Sequence, residues 1–221
     1  MDRDCNSTLD FQSLESLSVL VLHSTRIPAF PLLPKSVRVL DISRNKSIQW
    51  SLQDILASPL PNLESFKVGD DYNIDRMHVL AILAPSLEKS SLRSLSLNSC
   101  PGINFNSLEW LIEYRKNLEV LDIGGNSNVT DEISKEVAQF KKLRYLGLSD
   151  TRISAIGVMN VVNGSLGMLR EVDISGCSSM ESVVDRLYVD RSAAESGVKQ
   201  HGANRHRGKG GGRLVHVAVR W

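Results

Sequence analysis

The clearest regularity in this chain is a spacing of apolar residues. The pattern Leu-x-x-Leu-x-Leu-x-x-(Asn/Cys/Thr/Asp) occurs seven times, as Leu17/Leu20/Leu22/Thr25, Val37/Leu40/Ile42/Asn45, Leu63/Phe66/Val68/Asp71, Leu92/Leu95/Leu97/Cys100, Leu118/Leu121/Ile123/Asn126, Leu143/Leu146/Leu148/Thr151 and Leu169/Val172/Ile174/Cys177. The central positions 20, 40, 66, 95, 121, 146 and 172 are separated by 20, 26, 29, 26, 25 and 26 residues. Each Leu-x-Leu core predicts a short strand, because alternation with a period of two sends its leucines to one face. A recurrence in the twenties predicts one strand plus one return per unit. No unit of that size covers its own apolar face, so neighbours must stack around a shared core.

The stretches between the strands differ in character. The first, Arg26–Lys35, carries Pro28, Pro31 and Pro34, which remove backbone donors and disfavour a helix. An extended return takes fewer residues than a helical one, and this accounts for the short first step. Later returns read as helices. Asn106 and Glu109 stand like an N-cap and its third-position partner ahead of Leu108, Leu111 and Ile112. Thr130 precedes Ile133, Val137 and Phe140, and Asp75 precedes Met77, Leu80, Ala81 and Ala84. Met77, Trp110, Phe140 and Met159 are expected in the core, since each unit needs a buried stripe.

If the leucines of each strand point inward, the residues between and beside them form an exposed row. From the first strand to the seventh these are Val19, Val21, His23; Val39, Asp41, Ser43; Ser65, Lys67, Gly69; Ser94, Ser96, Asn98; Val120, Asp122, Gly124; Tyr145, Gly147, Ser149; and Glu171, Asp173, Ser175. Asp41, Lys67, Asn98, Asp122, Tyr145, Glu171 and Asp173 are the candidate partner-binding residues. Adjacent strands stand about 4.8 Å apart, so the last three would present a connected acidic patch beside Tyr145. Such a patch suits a basic or hydrogen-bonding peptide anchored on the tyrosine. Solvation of an exposed sheet accounts for the same acidic residues, and reversing Asp122 and Asp173 separates the two.

Composition narrows the function classes. The apolar fraction of 42% suits a globular protein, and no run reaches the roughly 18 apolar residues that a membrane-spanning helix needs. The first ten residues show no basic and apolar leader, so a cytoplasmic or nuclear location is expected, with Asn6, Asn45, Asn128 and Asn163 chance sequons. Cys5, Cys100 and Cys177 lack paired spacing and should be reduced thiols. Cys100 and Cys177 occupy the position that Asn45 and Asn126 fill, where a small polar side chain satisfies turn backbone groups. No metal or cofactor is expected, and no nucleophile–base set points to an enzyme.

Charge is divided along the chain. Residues 191–221 hold seven Lys/Arg against one acidic residue, leaving 19 against 24 for residues 1–190 out of totals of 26 and 25. Six of the 15 glycines also lie in that last segment. Residues 1–13 are read as an N-terminal segment, 14–190 as the repeat domain and 191–221 as a basic, Gly-rich tail expected to be disordered. Gly202 to Gly210 resembles a phosphate loop only superficially, with five residues between its glycines and no Ser/Thr after Lys209. His201, His206 and His216 read as part of a solvated basic tail. Its stretch Leu214–Trp221 alternates like a strand but has no evident partner. Terminal units of stacked folds normally carry a polar cap, and none is evident before the first strand, so the chain reads either as a fragment or as a gene model cut at both ends, its tail then being translated non-coding sequence.

The period, with lines such as Leu121-Asp-Ile-Gly-Gly-Asn-Ser-Asn-Val-Thr-Asp131 and Val172-Asp-Ile-Ser-Gly-Cys177, resembles the cysteine-containing and ribonuclease-inhibitor-like leucine-rich repeats over residues 14–189. The resemblance implies an α/β solenoid of about seven repeats, with parallel strands on the concave face and helices or extended returns on the convex face. Such repeats are common in cullin-RING substrate receptors of the F-box and zyg-11/zer-1 kinds. It therefore implies substrate recognition for a ubiquitin ligase, with a protein or peptide ligand and a cullin-ligase adaptor as partners. The alternatives are a stand-alone scaffold or inhibitor and, through the basic tail alone, association with nucleic acid.

Overall fold

The computed structural model describes residues 8–165, 168–178 and 216–218. Its framework is an open α/β fold with seven parallel strands: β1 (Val19–Val21), β2 (Val39–Asp41), β3 (Ser65–Gly69), β4 (Ser94–Asn98), β5 (Val120–Asp122), β6 (Tyr145–Gly147) and β7 (Glu171–Asp173). The strands lie side by side in chain order. Their register aligns Leu20, Leu40, Phe66, Leu95, Leu121, Leu146 and Val172 in one line. From Leu40 onward every member of that line is fully buried, whereas Leu20 at the edge is half-buried against the same core.

The same backbone splice joins each strand to the next. One carbonyl accepts two successive N–H groups: Ser18 from Arg38 and Val39, Arg38 from Glu64 and Ser65, Glu64 from Arg93 and Ser94, Arg93 from Glu119 and Val120, Glu119 from Arg144 and Tyr145, and Arg144 from Arg170 and Glu171. Each strand then leaves through a left-handed residue. Ser24, Arg44, Asp70, Ser99, Gly125, Asp150 and Gly176 have φ between 51° and 72°. That conformation turns the chain sharply inward at a steric cost that glycine escapes.

The next residue in every unit is the polar one of the repeat, and it repairs the turn. Asn45 Nδ2 donates to the carbonyls of Leu22, Ile42 and Ser43, and Asn126 Nδ2 to those of Leu97, Ile123 and Gly124. Thr25 and Thr151 donate to Leu22 and Leu148, and the Cys177 thiol also donates to Leu148. Buried polar groups must find partners because water cannot reach them, so these small side chains stand in for solvent. Cys100 is a structural thiol of this row, its pKa pushed up to about 12 chiefly by burial. Asn45 is fully buried, which closes that sequon to a glycan.

The returns are short. They contain α1 (Leu52–Leu56), α2 (Arg76–Leu83), a 3₁₀ turn at Ala84–Ser86, a 3₁₀ helix at Glu109–Tyr114, a 3₁₀ turn at Asp131–Ile133 running into α3 (Ser134–Val137), and α4 (Ala155–Gly164). α1 packs on α2 and α3 on α4. The proline-bearing first return is extended, with bridges from Ala29 to Gln49 and from Asp10 to Leu32. Thr130 caps its helical segment, and Ile133, Val137 and Phe140 are buried, as their spacing predicts.

Several expectations are corrected. Asp75 does cap α2, but the buried face is Val79, Ile82 and Leu83, and Met77 is 55% exposed. A start at Arg76 puts those three residues on one side and Met77 on the other. Asn106 caps nothing: Ser107 Oγ accepts from Glu109 N–H and donates to Glu136 Oε1. The Glu136 carboxylate also accepts from Leu108 N–H. Trp110 and Met159 are only partly buried. The N-terminal segment is tied in, since Phe11 N–H donates to Leu32 and Phe11 packs against the core. In the tail, expected to be disordered and unpartnered, β8 (His216–Ala218) pairs antiparallel with β7. The rest of that tail, including His201, His206 and the Gly202–Gly210 loop, lies outside the described residues, as does Cys5.

Candidate binding surface

Strand register turns the exposed row into an ordered array. Side chains on neighbouring strands stand opposite one another, so one line across the sheet reads Val21, Asp41, Lys67, Ser96, Asp122, Gly147, Asp173. A second, one pleat earlier, reads Val19, Val39, Ser65, Ser94, Val120, Tyr145, Glu171. At the turns His23, Ser43, Gly69, Asn98, Gly124, Ser149 and Ser175 follow. All seven sequence-predicted site residues lie on this one surface.

The surface is graded. At its β1 end Val19 and Val21 are 54% and 57% exposed, in register with Val39 and Asp41. Next, Asp41 and Lys67 form an ion pair at 3.9 Å, so the lone cation expected on the face is already matched. Asp41 Oδ1 also accepts from Ser43 N–H and Oγ, at 2.9 and 2.6 Å. Asp173 repeats this device, with Ser175 N–H at 3.0 Å and Oγ at 2.7 Å. These bonds clamp each carboxylate against its own turn and orient it without neutralising it.

Asp122 is held differently. Its Oδ2 accepts from Asn98 Nδ2 at 2.8 Å, across to β4, and its Oδ1 accepts from Gly124 N–H at 3.2 Å. The same Oδ1 leans over β6. A Cβ placed on Gly147 would lie 2.2 Å from it, so only glycine leaves room for the carboxylate there. Among the described residues neither Asp122 nor Asp173 forms an ion pair. Tyr145, half-buried one pleat away, registers this field. Its pKa is pushed up to about 12, first by burial and then by the charges of Asp122, Asp173 and Glu171.

Two residues of the array were not singled out by sequence reasoning. Gly147 interrupts a row whose counterparts on neighbouring strands are both aspartates. Ser96 is 9% exposed, and its Oγ and the Asn98 Oδ1 are buried without hydrogen-bond partners. The glycine was visible in the sequence, but its meaning depends on the Asp122 side chain reaching over it. No sequence signal marks the unmet Ser96 hydroxyl.

Elsewhere, a cleft of about 330 Å³ lies between the first return and the N-terminal segment, lined by Gln12, Glu15, Leu33, Pro34, Lys35, Ser36, Ala57 and Pro59. It gathers no chemistry-bearing cluster. Among the described residues no group of three or more His, Cys, Asp or Glu could hold a metal ion. None of their helices is long and apolar enough to cross a membrane. No protein-family model matches the sequence.

Proposed function

We propose that this chain is a leucine-rich-repeat solenoid of the cysteine-containing, ribonuclease-inhibitor-like kind, which acts by binding a protein ligand on its concave strand face. The observation that carries the reading is the register of seven parallel strands, each followed by a left-handed residue and a turn-satisfying polar residue. Stacked units of this sort hold their exposed side chains at fixed spacing on a rigid sheet, which favours recognition of an extended macromolecular surface. The graded face, apolar at β1 and acidic at β5 to β7, supplies the asymmetry that fixes a ligand's direction.

Within that class the reading is substrate recognition for a cullin-RING ubiquitin ligase, in the cytoplasm or nucleus, with the face taking substrate and an adaptor binding elsewhere. Its support is the resemblance of the repeat lines. The test is affinity purification of the full-length protein from cells, in wild-type form and with Asp122→Lys and Asp173→Lys. Adaptor and cullin subunits should co-purify with both forms, and substrate with the wild type alone. Partner binding unchanged by the two reversals removes the concave face from the proposal. A partner captured with no adaptor present replaces the ligase role with that of a stand-alone scaffold or inhibitor.

A further inference from the structure

The carboxylates of β5 and β7 are set apart by a strand that carries no side chain between them. Asp122, Gly147 and Asp173 stand in register on β5, β6 and β7, and two strand spacings, about 9.6 Å, separate the backbones of the two aspartates. Gly147 leaves a notch into which Asp122 Oδ1 projects, and Tyr145 borders it one pleat earlier on β6. On the β4 side, Ser96 Oγ and Asn98 Oδ1 are acceptors with nothing to accept. Each buried polar atom of that kind carries a desolvation cost that a donor removes. The site is thus rich in acceptors and negatively charged, among the described residues neither Asp122 nor Asp173 forms an ion pair, and an aromatic ring bounds it.

We infer that the surface above Gly147, between Asp122 and Asp173, is a seat for one guanidinium group, an arginine side chain of the protein ligand, flanked by the ring of Tyr145. This rests on the reading of the strand face as the binding surface and names the chemistry it selects. Guanidinium presents donors along both edges of a plane and stacks on aromatic faces, so it bridges two carboxylates that an ammonium, a compact point charge, meets one at a time. Over Gly147 it meets Asp122 Oδ1, and as it draws that carboxylate toward β6 the Asn98 amide is released from its 2.8 Å bond to Oδ2. The Asn98 side chain is then free to turn, and the covered Ser96 hydroxyl and Asn98 carbonyl gain access to donors. Lys67 does not compete, because Asp41 holds it three strands away from β5's neighbour β6.

The test needs no natural partner. The full chain, labelled with ¹⁵N, is titrated with N-acetyl-arginine-N-methylamide, its citrulline analogue and its lysine analogue, following amide resonances. The arginine compound should shift Gly147, Asp122 and the Asn98 side-chain amide in one saturable millimolar process. The lysine compound should bind at least threefold more weakly and the citrulline compound not at all. Asp122→Asn with Asp173→Asn should abolish the response, and Gly147→Ala, which displaces the Asp122 carboxylate, should weaken it at least tenfold. Lys135→Met, at an exposed position of α3 off the strand face, should leave it unchanged. Thermal melts verify that each variant is folded, and the Asn substitutions, close in shape, keep the test available if Gly147→Ala is not. Equal shifts from citrulline, or saturable binding retained by the Asn double variant, overturn the site. Absence of any response does the same while leaving the strand face open to a ligand of other chemistry, which the cell purification decides independently.

Discussion

Asn126 offers the sharpest test of how the turns are held together. It is 1% exposed and its side chain makes four bonds: Oδ1 accepts from Cys100 N–H at 2.8 Å, and Nδ2 donates to Leu97, Ile123 and Gly124 at 2.9, 2.8 and 3.0 Å. Two of these, to Cys100 and Leu97, cross to the preceding unit, so the residue staples neighbouring turns. Gly124 keeps a second donor, Ser99 N–H, when the amide is removed. Cys100 N–H keeps none. Asn126→Ala therefore strands one buried donor, at about 1–3 kcal/mol, and forfeits donated bonds worth about 0.5–1.5 kcal/mol each. Allowing for non-additivity, the expected loss is about 3–5 kcal/mol, or roughly 6–20 °C in Tm for a chain of this size. Urea unfolding followed by far-ultraviolet circular dichroism measures it, with Asn73→Ala, at an exposed loop residue, as the control expected within about 0.5 kcal/mol. Asn126→Cys should recover part of the loss, because Cys177 already donates to a preceding-strand carbonyl at 3.0 Å. A loss for Asn126→Ala no larger than that of Asn73→Ala would refute the idea that these side chains replace solvent.

Three further outcomes are expected. Gly125→Ala should destabilise by about 1–2 kcal/mol for its left-handed φ of 69°, with more from the clash of its Cβ with Ser99 Oγ at 2.2 Å; adding Ser99→Gly should cancel only the clash, which a double-mutant cycle in urea detects. Cys100 and Cys177 are both buried, so an aromatic disulfide reagent at pH 8 should find neither in the native chain and both after unfolding; rapid native labelling at Cys100 would contradict its raised pKa of about 12. The difference in phenolate absorbance between wild type and Tyr145→Phe should titrate near pH 12, and Asp122→Asn with Asp173→Asn should lower that midpoint while leaving it above the ordinary value of about 10. The folded state keeps the Tyr145 proton where the unfolded chain has lost it, so stability should fall as pH rises between about 10 and 12.

Much of the framework was legible beforehand, for a local reason. Leu95, Leu121 and Leu146 were assigned to adjacent strands with a common interior because a period of two, repeated every 25 or 26 residues, has one way of burying its leucines, and the register aligns all three. The roles of Asn45, Asn126, Cys100 and Cys177 were equally readable, because a turn that leaves buried carbonyls needs a small donor at one fixed position. Helix caps and faces were less secure. Glu136, 28 residues after Leu108, supplies the carboxylate that organises the Glu109–Tyr114 turn, and no local window contains it. Met77 lost its place in the core to Val79 and Ile82 because the start of α2 set the helix phase, and a shift of two residues turns an amphipathic face outward.

For the candidate site the division falls between membership and arrangement. Which side chains leave the core follows from the chain alone, since alternation along a strand is a property of the local backbone. Asp41, Lys67, Asn98, Asp122, Tyr145, Glu171 and Asp173 therefore belonged to one face before any coordinates were known. The match of Lys67 with Asp41, the lean of Asp122 over Gly147 and the unpartnered buried hydroxyl of Ser96 emerge only in the assembled sheet. Those facts depend on distances between residues some 25 positions apart, which strand register and side-chain rotamers settle jointly across neighbouring units and no single unit encodes.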